Sequence, residues 1–390
     1  MSVVFVNCTS ETFTPTKSGA IATFLWELCT VAKNEGSFPT VLSCPSDAEP
    51  YPWKNTIFVA QPASPVKPWT IALCRLQRRL NGWRYLRQKA FALRVMATIR
   101  ERRLDHLPLI FHNDPEMAIL CRQIFPRAKI IHHFHNQHTS KSKMRRLFGQ
   151  ARILVTAVSD FTARWIEDFY HLPANSVQTI YNGVDTVAFH PASEPPPGVP
   201  VINFVGRTGV EKAPDLVLKA ALLAAQQRTD FAVQIVGGNH WGYSSMDDYQ
   251  RELQALGAEL ERKGVKVHFT GFVGRQDLPE TFRRAHIHVV PSRWDEPFGL
   301  TTVEGMASGL AVIASRTGGT PEVVGEAGLL FEKENIQELA SHLLSLFADS
   351  QLMKDMCKKS RDRALRFTWK STWEGFKAAA GEDNASAAVH

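Results

Sequence analysis

The stretch VINFVGRTGVEKAPDLVLKAALLAAQQRTDFAVQIVG, residues 201–237, decides the fold of the second half of the chain. It predicts a buried strand at 201–206, a helix at 213–228 and a second strand at 231–237. A strand, a helix and a strand in close succession indicate two parallel strands of one sheet. Further strands, each preceded by a helical stretch, are predicted at 265–271, 286–291 and 310–315. The second half is therefore predicted to be a doubly wound α/β domain.

The first half of the chain alternates in the same way. Its predicted strands are 3–7, 108–112, 128–134, 152–158 and 177–181. A proline-rich segment at 190–200 then interrupts the pattern, because proline can continue neither a helix nor a sheet ladder. The predicted division is an N-terminal α/β domain at 1–192, a linker at 193–200, a C-terminal α/β domain at 201–368, a crossover helix at 369–380 that returns to the first domain, and a flexible tail at 381–390.

Length and composition exclude several classes of protein. The chain has 390 residues, of which 44% are hydrophobic and 21% charged, so it can build two cores and is not globally disordered. Its six cysteines form no CxxC pair, which predicts reduced thiols. The N-terminus lacks the features of a signal peptide, and no apolar run reaches membrane-spanning length. We therefore expect a cytoplasmic location.

Positive charge is concentrated in one segment. The net charge is +7, and residues 75–103 carry ten basic residues and one acid, with Trp83 and Tyr85 among them. Such a helix either exposes its basic face to solvent or makes a peripheral contact with an anionic membrane surface. No nucleic-acid-binding motif accompanies the charge, so nucleic acid is not an expected partner.

The loop after the first strand of the second domain, GRTGVEK (206–212), carries two cations. Arg207 and Lys212 stand just before a predicted helix, where backbone amides and the helix dipole favour an anion. Together these groups suit a diphosphate. The alternative is two solvated surface cations, which is the commoner situation for such residues.

A later loop, PSRWDEPFGLTTVEGMASG (291–309), places Glu296 and Glu304 on either side of a Pro-Phe-Gly turn. Paired carboxylates suit vicinal hydroxyls, because each carboxylate can accept hydrogen bonds that the hydroxyl groups donate. The amides of the turn, which also favour an anion or sugar hydroxyls, are those of Phe298, Gly299 and Leu300. The structural alternative makes Thr301 a helix N-cap with Glu304 in a capping box, and Glu296 an exposed loop acid.

Three motifs in this order resemble the retaining GT-B glycosyltransferases of family GT4: GRTGVEK, EPFGLTTVEGMASGLAVIAS (296–315) with its E-x7-E spacing, and IYNGVDTVAFHP (180–191). The C-terminal domain matches nearly throughout. The resemblance implies two Rossmann-like domains facing across a cleft, with a nucleotide-sugar donor held mainly by the second. It assigns Arg207 and Lys212 to the donor diphosphate, Glu304 to the ribose, Glu296 to the transferred sugar, the amides of Phe298, Gly299 and Leu300 to sugar and phosphates, and Val273 to the nucleobase.

Two glycine-containing loops also match the family. In the loop after the first strand the family commonly has a glycine pair whose backbone touches the diphosphate, and this chain has only Gly19 there. The loop TGGTPEV (317–323) resembles the one that lies below the base site. A simpler reading of it is a strand-to-helix turn in which Thr320 caps the helix and Pro321 is its first residue.

The histidine-rich segment IIHHFHNQH (130–138) permits a metal site in principle. On a strand His133 and His135 share one face while His132 points to the other, and no HExxH or CxxC motif supplies further ligands, so no metal is expected. The resemblance assigns His135 to the donor sugar and acceptor. The segment FHNDP (111–115) adds His112 and Asn113 on the acceptor side.

The function that these features predict is a retaining, metal-independent hexosyltransferase without a cofactor, acting on a nucleoside diphosphate sugar in glycan, polysaccharide or glycolipid synthesis. UDP-sugars are the first expected donors and GDP-sugars the second, and the acceptor is a sugar or a lipid-linked molecule. Cations and helix ends would stabilise the departing diphosphate, which would itself deprotonate the acceptor. The alternatives are a nucleotide-sugar epimerase, a sugar phosphorylase, a zinc hydrolase, and a non-catalytic protein that binds nucleotide sugars or membranes.

Overall fold

The computed structural model describes residues 2–9, 11–15, 19–59, 86–139, 142–194, 196–238 and 247–381. The chain divides into two compact units: the first is Met1–Tyr181 with Trp369–His390, and the second is Asn182–Thr368. The division falls after Tyr181, before the predicted linker at 193–200, so that segment belongs to the second unit. The C-terminal helix belongs to the first unit, as predicted. Residues 75–85 of the basic segment and 382–390 of the predicted tail lie outside the described residues.

The first unit is an α/β domain. Its described strands are β1 (Val4–Val6), β2 (Thr40–Ser43), β3 (Thr56–Phe58), β4 (Leu109–His112), β5 (Ile130–Phe134), β6 (Leu154–Ala157) and β7 (Gln178–Thr179). Its described helices are α1 (Ala20–Asn34), α2 (Leu86–Glu101), α3 (Pro115–Ile124), α4 (Ser142–Gln150), α5 (Asp160–Tyr170) and, from the C-terminus, α13 (Trp369–Ala379). Among the described residues the strand order is β3-β2-β1-β4-β5-β6-β7, and every neighbouring pair is parallel.

Strand β1, which lies inside this sheet between β2 and β4, is buried on both faces, as expected for a parallel sheet covered by helices. In β1, Val4 and Val6 join a core with Phe91 of α2. The residue between them, Phe5, points to the opposite face and packs edge-on against Trp373 of α13. This alternation along the strand places α13 on the face that also carries α1.

The second unit has the same architecture. Its described strands are β8 (Val201–Val205), β9 (Ala232–Val236), β10 (Lys266–Gly271), β11 (Ile287–Val290), β12 (Ala311–Ser315) and β13 (Leu329–Phe331). Its described helices are α6 (Pro214–Ala224), α7 (Asp248–Arg262), α8 (Leu278–Arg283), α9 (Leu300–Ala307), α10 (Thr320–Val324), α11 (Ile336–Ala348) and α12 (Ser350–Ala364). Within the described residues the order is β10-β9-β8-β11-β12-β13, again with all neighbours parallel.

The sheet order decides which loops meet in the second unit. Strands β8 and β11 are neighbours, although 81 residues lie between Val205, where β8 ends, and Ile287, where β11 begins. In a parallel sheet the loops that follow neighbouring strands lie side by side at the carboxyl edge. The loop carrying Lys212 and the loop carrying Glu296 therefore become adjacent.

Several predicted elements differ from the observed ones. Strands β2, β3 and β13 are not predicted from the sequence, because they are only three or four residues long and their apolar pattern is too short. The predicted strand at 177–181 shrinks to the pair Gln178–Thr179 at the sheet edge. Helix α6 ends at Ala224, four residues before the predicted end at 228. Among the described residues, none of the helices combines the length and the apolar character that crossing a membrane requires.

Candidate active site

The second unit brings together two residues that the sequence analysis assigns to the donor. Lys212 lies in the loop after β8, and Glu296 in the loop after β11. Lys212 Nζ donates to Glu296 Oε1 at 2.5 Å, and Ser292 Oγ donates to the same oxygen at 2.5 Å. Glu296 is only 6% exposed. Its second oxygen, Oε2, accepts no hydrogen bond from the described residues.

The second predicted carboxylate is held in a similar way. Glu304, on α9, is 2% exposed, and its Oε1 accepts a hydrogen bond from Arg275 at 2.8 Å. The Arg275 guanidinium in turn lies over the ring of Phe189, 5.9 Å from its centroid. Glu304 Oε2 accepts no hydrogen bond from the described residues. Each of the two buried carboxylates is thus fixed by a cation through one oxygen.

The turn between the two carboxylates ends in a left-handed glycine. Gly299 has φ of 87° and precedes α9, whose first residue is Leu300. The structural alternative, in which Thr301 caps the helix and forms a capping box with Glu304, is therefore wrong: Gly299 turns the chain into the helix before Thr301, and no side chain caps the helix start. The Phe298 side chain is buried against Phe367, so only the backbone of Phe298 remains to meet a ligand.

The two predicted diphosphate cations have different partners. Lys212 pairs with Glu296, whereas Arg207 pairs with Glu211 within its own loop at 3.0 Å. The Arg207 side chain is half-exposed, so it can turn toward a ligand at little cost. Ala213, with φ of 56°, ends this loop and leads into Pro214, the first residue of α6. That turn fixes the position of the neighbouring Lys212 backbone.

Val273, the predicted base neighbour, follows β10 and is half-buried. It comes two residues before Arg275, which binds Glu304. Next to it, Phe272 is 86% exposed. The chain after β10 therefore connects the predicted base neighbour directly to the cation that holds the predicted ribose carboxylate.

The glycine-rich loop 317–323 supports the backbone of Glu296. Gly319 N donates to Glu296 O at 2.7 Å. Gly318 has φ of 54°, and a Cβ there would lie 2.3 Å from Glu296 O. The simpler interpretation, in which Thr320 caps the helix, is wrong, because Thr320 is the first residue of α10 and Gly319 precedes it without a side-chain cap. Glycine is required at 318 by both its left-handed backbone and its contact with Glu296.

Gly318→Ala is expected to lower turnover by at least ~10-fold, because the new methyl group would overlap with the Glu296 backbone and displace it. Initial rates and melting temperatures would measure the effect. The matched control is Gly264→Ala, where φ is 91° but the nearest atom to a new Cβ is Thr229 Oγ1 at 4.0 Å. An equal loss of turnover in both variants would show that backbone strain alone is responsible.

In the first unit two of the predicted histidines form a pair. His112 Nδ1 and His135 Nε2 are 2.9 Å apart, and both rings pack against Phe24. Burial lowers the pKa of His135 to about 3 and that of His112 well below its usual value, so both rings are neutral at pH 7. His112 is fully buried and supports the half-buried His135. The contact of His112 with the acceptor stays a prediction.

Asn113 also supports His135. It adopts a left-handed backbone, with φ of 49°, a conformation that asparagine tolerates better than most residues. Its side-chain Oδ1 accepts a hydrogen bond from His135 N at 2.8 Å. Like His112, Asn113 thus fixes the segment after β5, in addition to the substrate role that the sequence analysis assigns to it.

The remaining histidines of the cluster have structural partners. His133 stacks on Phe24 and shares a 2.8 Å contact with Thr156 Oγ1, which confirms that it lies on the same face as His135. His132 points to the opposite face, where its Nε2 accepts from Asp114 N at 3.1 Å. In the part of the chain that the structure describes, no group of three or more His, Cys, Asp or Glu side chains is arranged to hold a metal ion.

The buried side chain of Asp114 caps α3. Its Oδ1 accepts from Met117 N at 3.2 Å, and Thr9 Oγ1 lies 3.4 Å from its Oδ2. Burial raises the pKa of Asp114 to about 7, and the charge of Glu116 adds to the effect, although the bonds from Met117 and Thr9 oppose it. In the folded protein the carboxyl group is therefore mostly neutral below about pH 7 and mostly ionised above it.

Asp114→Asn is expected to stabilise the protein at pH 8 but not at pH 4. The folded pKa of Asp114 lies above its ordinary value, so the wild type loses stability as pH rises from about 4 to about 7, whereas asparagine caps without ionising. The difference in melting temperature should grow by at least ~3 °C over this window and stay constant above it. Asp349→Asn, at the exposed cap of α12, is the matched control. A difference that does not change with pH would contradict the prediction.

The predicted diphosphate contact at Gly19 is occupied by a side chain of the protein itself. Glu11 Oε2 accepts from Gly19 N at 3.2 Å and from Ala22 N at 3.1 Å, at the start of α1. Burial raises the pKa of Glu11, although these amides stabilise its charged form. A Cβ at Gly19 would lie 2.3 Å from Glu11 Oε1, so the glycine is needed for this contact. The anionic group at this helix start is the Glu11 carboxylate.

Three residues of the site are absent from the sequence analysis: Glu11, Arg275 and Ser292. All three lie in loops that follow parallel strands, at the sheet edge where ligands bind in such folds. That position is the signal that could have found them. The partner of Arg275 could not have been predicted, since Glu304 lies 29 residues away in the sequence.

Comparison with known proteins identifies the chain. The family model for Glycosyltransferase Family 4 matches residues 21–188, and that for Glycosyl transferases group 1 matches residues 186–363. The chain is a glycosyltransferase of this family. Its two α/β units, each built on a sheet of parallel strands, are the two Rossmann-like domains of the GT-B fold.

Individual relatives of this glycosyltransferase have diverse names. Spore coat protein SA of Bacillus subtilis is 26% identical over 76% of this chain and 84% of its own. D-inositol 3-phosphate glycosyltransferase of Acidothermus cellulolyticus is 32% identical over 59% of this chain and 54% of its own, so the alignment spans about half of that relative. Among solved structures, Anabaena Alr3699/HepE in complex with UDP superposes with a TM-score of 0.73 at 18% identity, over 99% of this chain and 100% of the other.

Proposed function

We propose that this glycosyltransferase moves a sugar, with retention of anomeric configuration, from a nucleoside diphosphate sugar to an acceptor hydroxyl, and that it needs no metal. UDP-sugars are the first candidate donors and GDP-sugars the second. The observation that carries the proposal is the pair of buried carboxylates, Glu296 and Glu304, each fixed by one cation through a single oxygen.

The carboxylates suit the hydroxyl groups of a donor. Because Lys212 and Arg275 hold one oxygen of each, the other oxygen keeps two lone pairs and a defined direction. Hydrogen bonds to a carboxylate are stronger at a buried site than in water, since water competes less for the same atoms. We assign Glu304 to the ribose hydroxyls and Glu296 to those of the transferred sugar.

The cations suit the diphosphate. Lys212 and Arg207 lie in one loop before α6, so both can approach a diphosphate beside the helix start. Their charge would stabilise the negative charge that grows on the departing diphosphate, without a metal ion. The departing phosphate would accept the proton of the acceptor hydroxyl on the same face of the sugar, which accounts for retention without a protein base.

The first unit would contribute neutral groups. His135 is uncharged at pH 7, so we assign to it a hydrogen bond with the donor sugar rather than a charge contact. Gly19 keeps its assignment to the diphosphate, on the condition that Glu11 leaves its amide. A UDP donor is supported by the solved complexes of Anabaena Alr3699/HepE with UDP and with UDP-glucose.

The proposal for the acceptor is based on the positive surface charge of α2. In the described part of the basic segment, Arg94 and Arg100 of α2 are exposed, while Val95 and Ile99 are buried in the core. Exposed arginines on an anchored helix suit an anionic surface. We therefore propose a cytoplasmic enzyme with a peripheral membrane contact and a sugar or lipid-linked acceptor.

A panel of nucleotide sugars tests the proposal. Melting temperatures of the purified protein would be measured with UDP-, GDP- and ADP-sugars to find the donor that stabilises it. Release of the nucleoside diphosphate from this donor would then be followed with EDTA present. NMR of the product would give the anomeric configuration. Inversion, or turnover that stops with EDTA, would contradict the proposed mechanism. Product formation that requires inorganic phosphate would indicate a phosphorylase, and sugar interconversion without an acceptor would indicate an epimerase.

A further inference from the structure

An ion pair next to the candidate site ties its two loops together. Arg293, in the loop after β11, binds Asp215, in the first turn of α6, through two parallel hydrogen bonds. NH1 lies 2.7 Å from Oδ1, and NH2 lies 2.8 Å from Oδ2. The Asp215 side chain is only 2% exposed and that of Arg293 is 22% exposed. This two-point geometry fixes orientation as well as distance.

Both members of the pair are held by further groups. Asp215 also accepts from Tyr249 OH at 2.5 Å and from Lys219 Nζ at 2.9 Å. Burial alone would raise the pKa of Asp215, but the hydrogen bonds from Arg293, Tyr249 and Lys219 lower it to about 2. Glu334 binds the outer edge of the Arg293 guanidinium. Asp215 is therefore ionised at neutral pH, and the pair persists.

Arg293 also reaches the loop that carries Lys212. Its NH1 donates to Val210 O at 3.0 Å, and its backbone amide donates to Glu211 O at 2.9 Å. The loop after β8 and the loop after β11 are thus joined on both sides of the Lys212–Glu296 contact. Buried ion pairs contribute little net stability, because desolvation offsets the attraction. The arrangement fits a role in alignment better than one in stability.

We propose that Arg293 is a positioning residue that holds Lys212 and Glu296 in register for the donor. The inference rests on the proposed function of these two residues. Arg293 would act through Lys212 on diphosphate binding, and its effect should vanish when Lys212 is removed. A residue that only stabilised the fold would weaken binding whether or not Lys212 was present.

The test compares four proteins by calorimetry: wild type, Arg293→Met, Lys212→Met and the double variant. The probe is whichever of UDP, GDP and ADP raises the melting temperature of the wild type most. Arg316→Met is the matched control, since Arg316 pairs with Glu332 on the exposed surface of the same unit. We expect about 10-fold weaker binding in Arg293→Met, and a double variant within about twofold of Lys212→Met. Arg293→Lys should recover part of the affinity.

Two results would overturn the inference. The first is an affinity of Arg293→Met for the nucleoside diphosphate that equals that of Arg316→Met. The second is a double variant whose loss of affinity is the product of the losses of the two single variants. If Arg293→Met does not fold, Asp215→Asn and Arg293→Lys replace it, and each is measured alone and combined with Lys212→Met. Wild-type affinity in Lys212→Met would contradict the proposed role of Lys212, and this outcome is distinguishable because it does not depend on Arg293.

Discussion

Lys212→Met is expected to lower turnover by at least ~100-fold. Lysine at this position does two things in the proposed mechanism. Its ammonium group stabilises the diphosphate as negative charge grows on it, and it holds Glu296 Oε1 at 2.5 Å. Methionine fills a similar volume without charge, so both contributions are lost together while the packing of the aliphatic stem remains.

Stability separates this effect from simple unfolding. Lys212→Met leaves the Glu296 carboxylate buried without its cation, so the melting temperature should also fall. The double variant Lys212→Met with Glu296→Gln removes that unpaired charge and should recover the melting temperature but not turnover. Lys377→Met is the matched control, because Lys377 pairs with Glu35 and Glu374 in the first unit at a side-chain exposure of 20%, close to the 25% of Lys212. Wild-type rates in Lys212→Met would exclude the proposed role.

Glu296→Gln is expected to lower kcat by at least ~100-fold while the affinity for the nucleoside diphosphate stays within about threefold. The carboxylate is assigned to hydroxyls of the transferred sugar, which the free nucleoside diphosphate lacks. Glutamine can still accept a bond from Lys212, but it presents an amide N–H where a sugar hydroxyl needs an acceptor. Steady-state rates and calorimetry with the nucleoside diphosphate would measure the two quantities separately.

The contrast variant for this experiment is Glu304→Gln. Glu304 is assigned to the ribose, which the nucleoside diphosphate retains, so its loss should weaken nucleotide binding as well as catalysis. Glu332→Gln, on the exposed surface, controls for the removal of a carboxylate that pairs with arginine. If Glu296→Gln weakened nucleotide binding as strongly as it lowered kcat, the assignment of Glu296 to the sugar would be wrong.

The fold could be predicted from the sequence because its central strands are short, nearly continuous apolar runs such as VINFV in β8 and AVIAS in β12, which a parallel sheet buries on both faces. The location of Lys212 and Glu296 at the carboxyl edge of the second sheet could also be predicted, since both follow such strands. Edge strands such as β3 could not, because three residues carry no reliable period.

The local geometry of the site was harder to predict. Threonine before a helical pattern is typical of an N-cap, yet glycines precede both α9 and α10, and Thr301 and Thr320 lie inside them. A left-handed glycine cannot be distinguished by sequence from one in a simple turn. The contacts of Arg293 with Asp215 join positions 78 residues apart, which only the sheet order brings together. Long-range side-chain pairing of this kind leaves no periodic signal in the sequence.

The adjacency of β8 and β11 also bears on how the enzyme acquires activity during folding. The Lys212–Glu296 contact closes a loop of 84 residues that includes β9 and β10. Contacts so distant in sequence form late and slowly, because chain entropy is lost before they contribute stability. A truncated or partly refolded second unit could therefore pair β8 with β9 and look largely native by its helical content, and still have no donor site. Nucleotide binding would report on the completed centre of this sheet, and would be a stricter measure of correct folding than secondary structure.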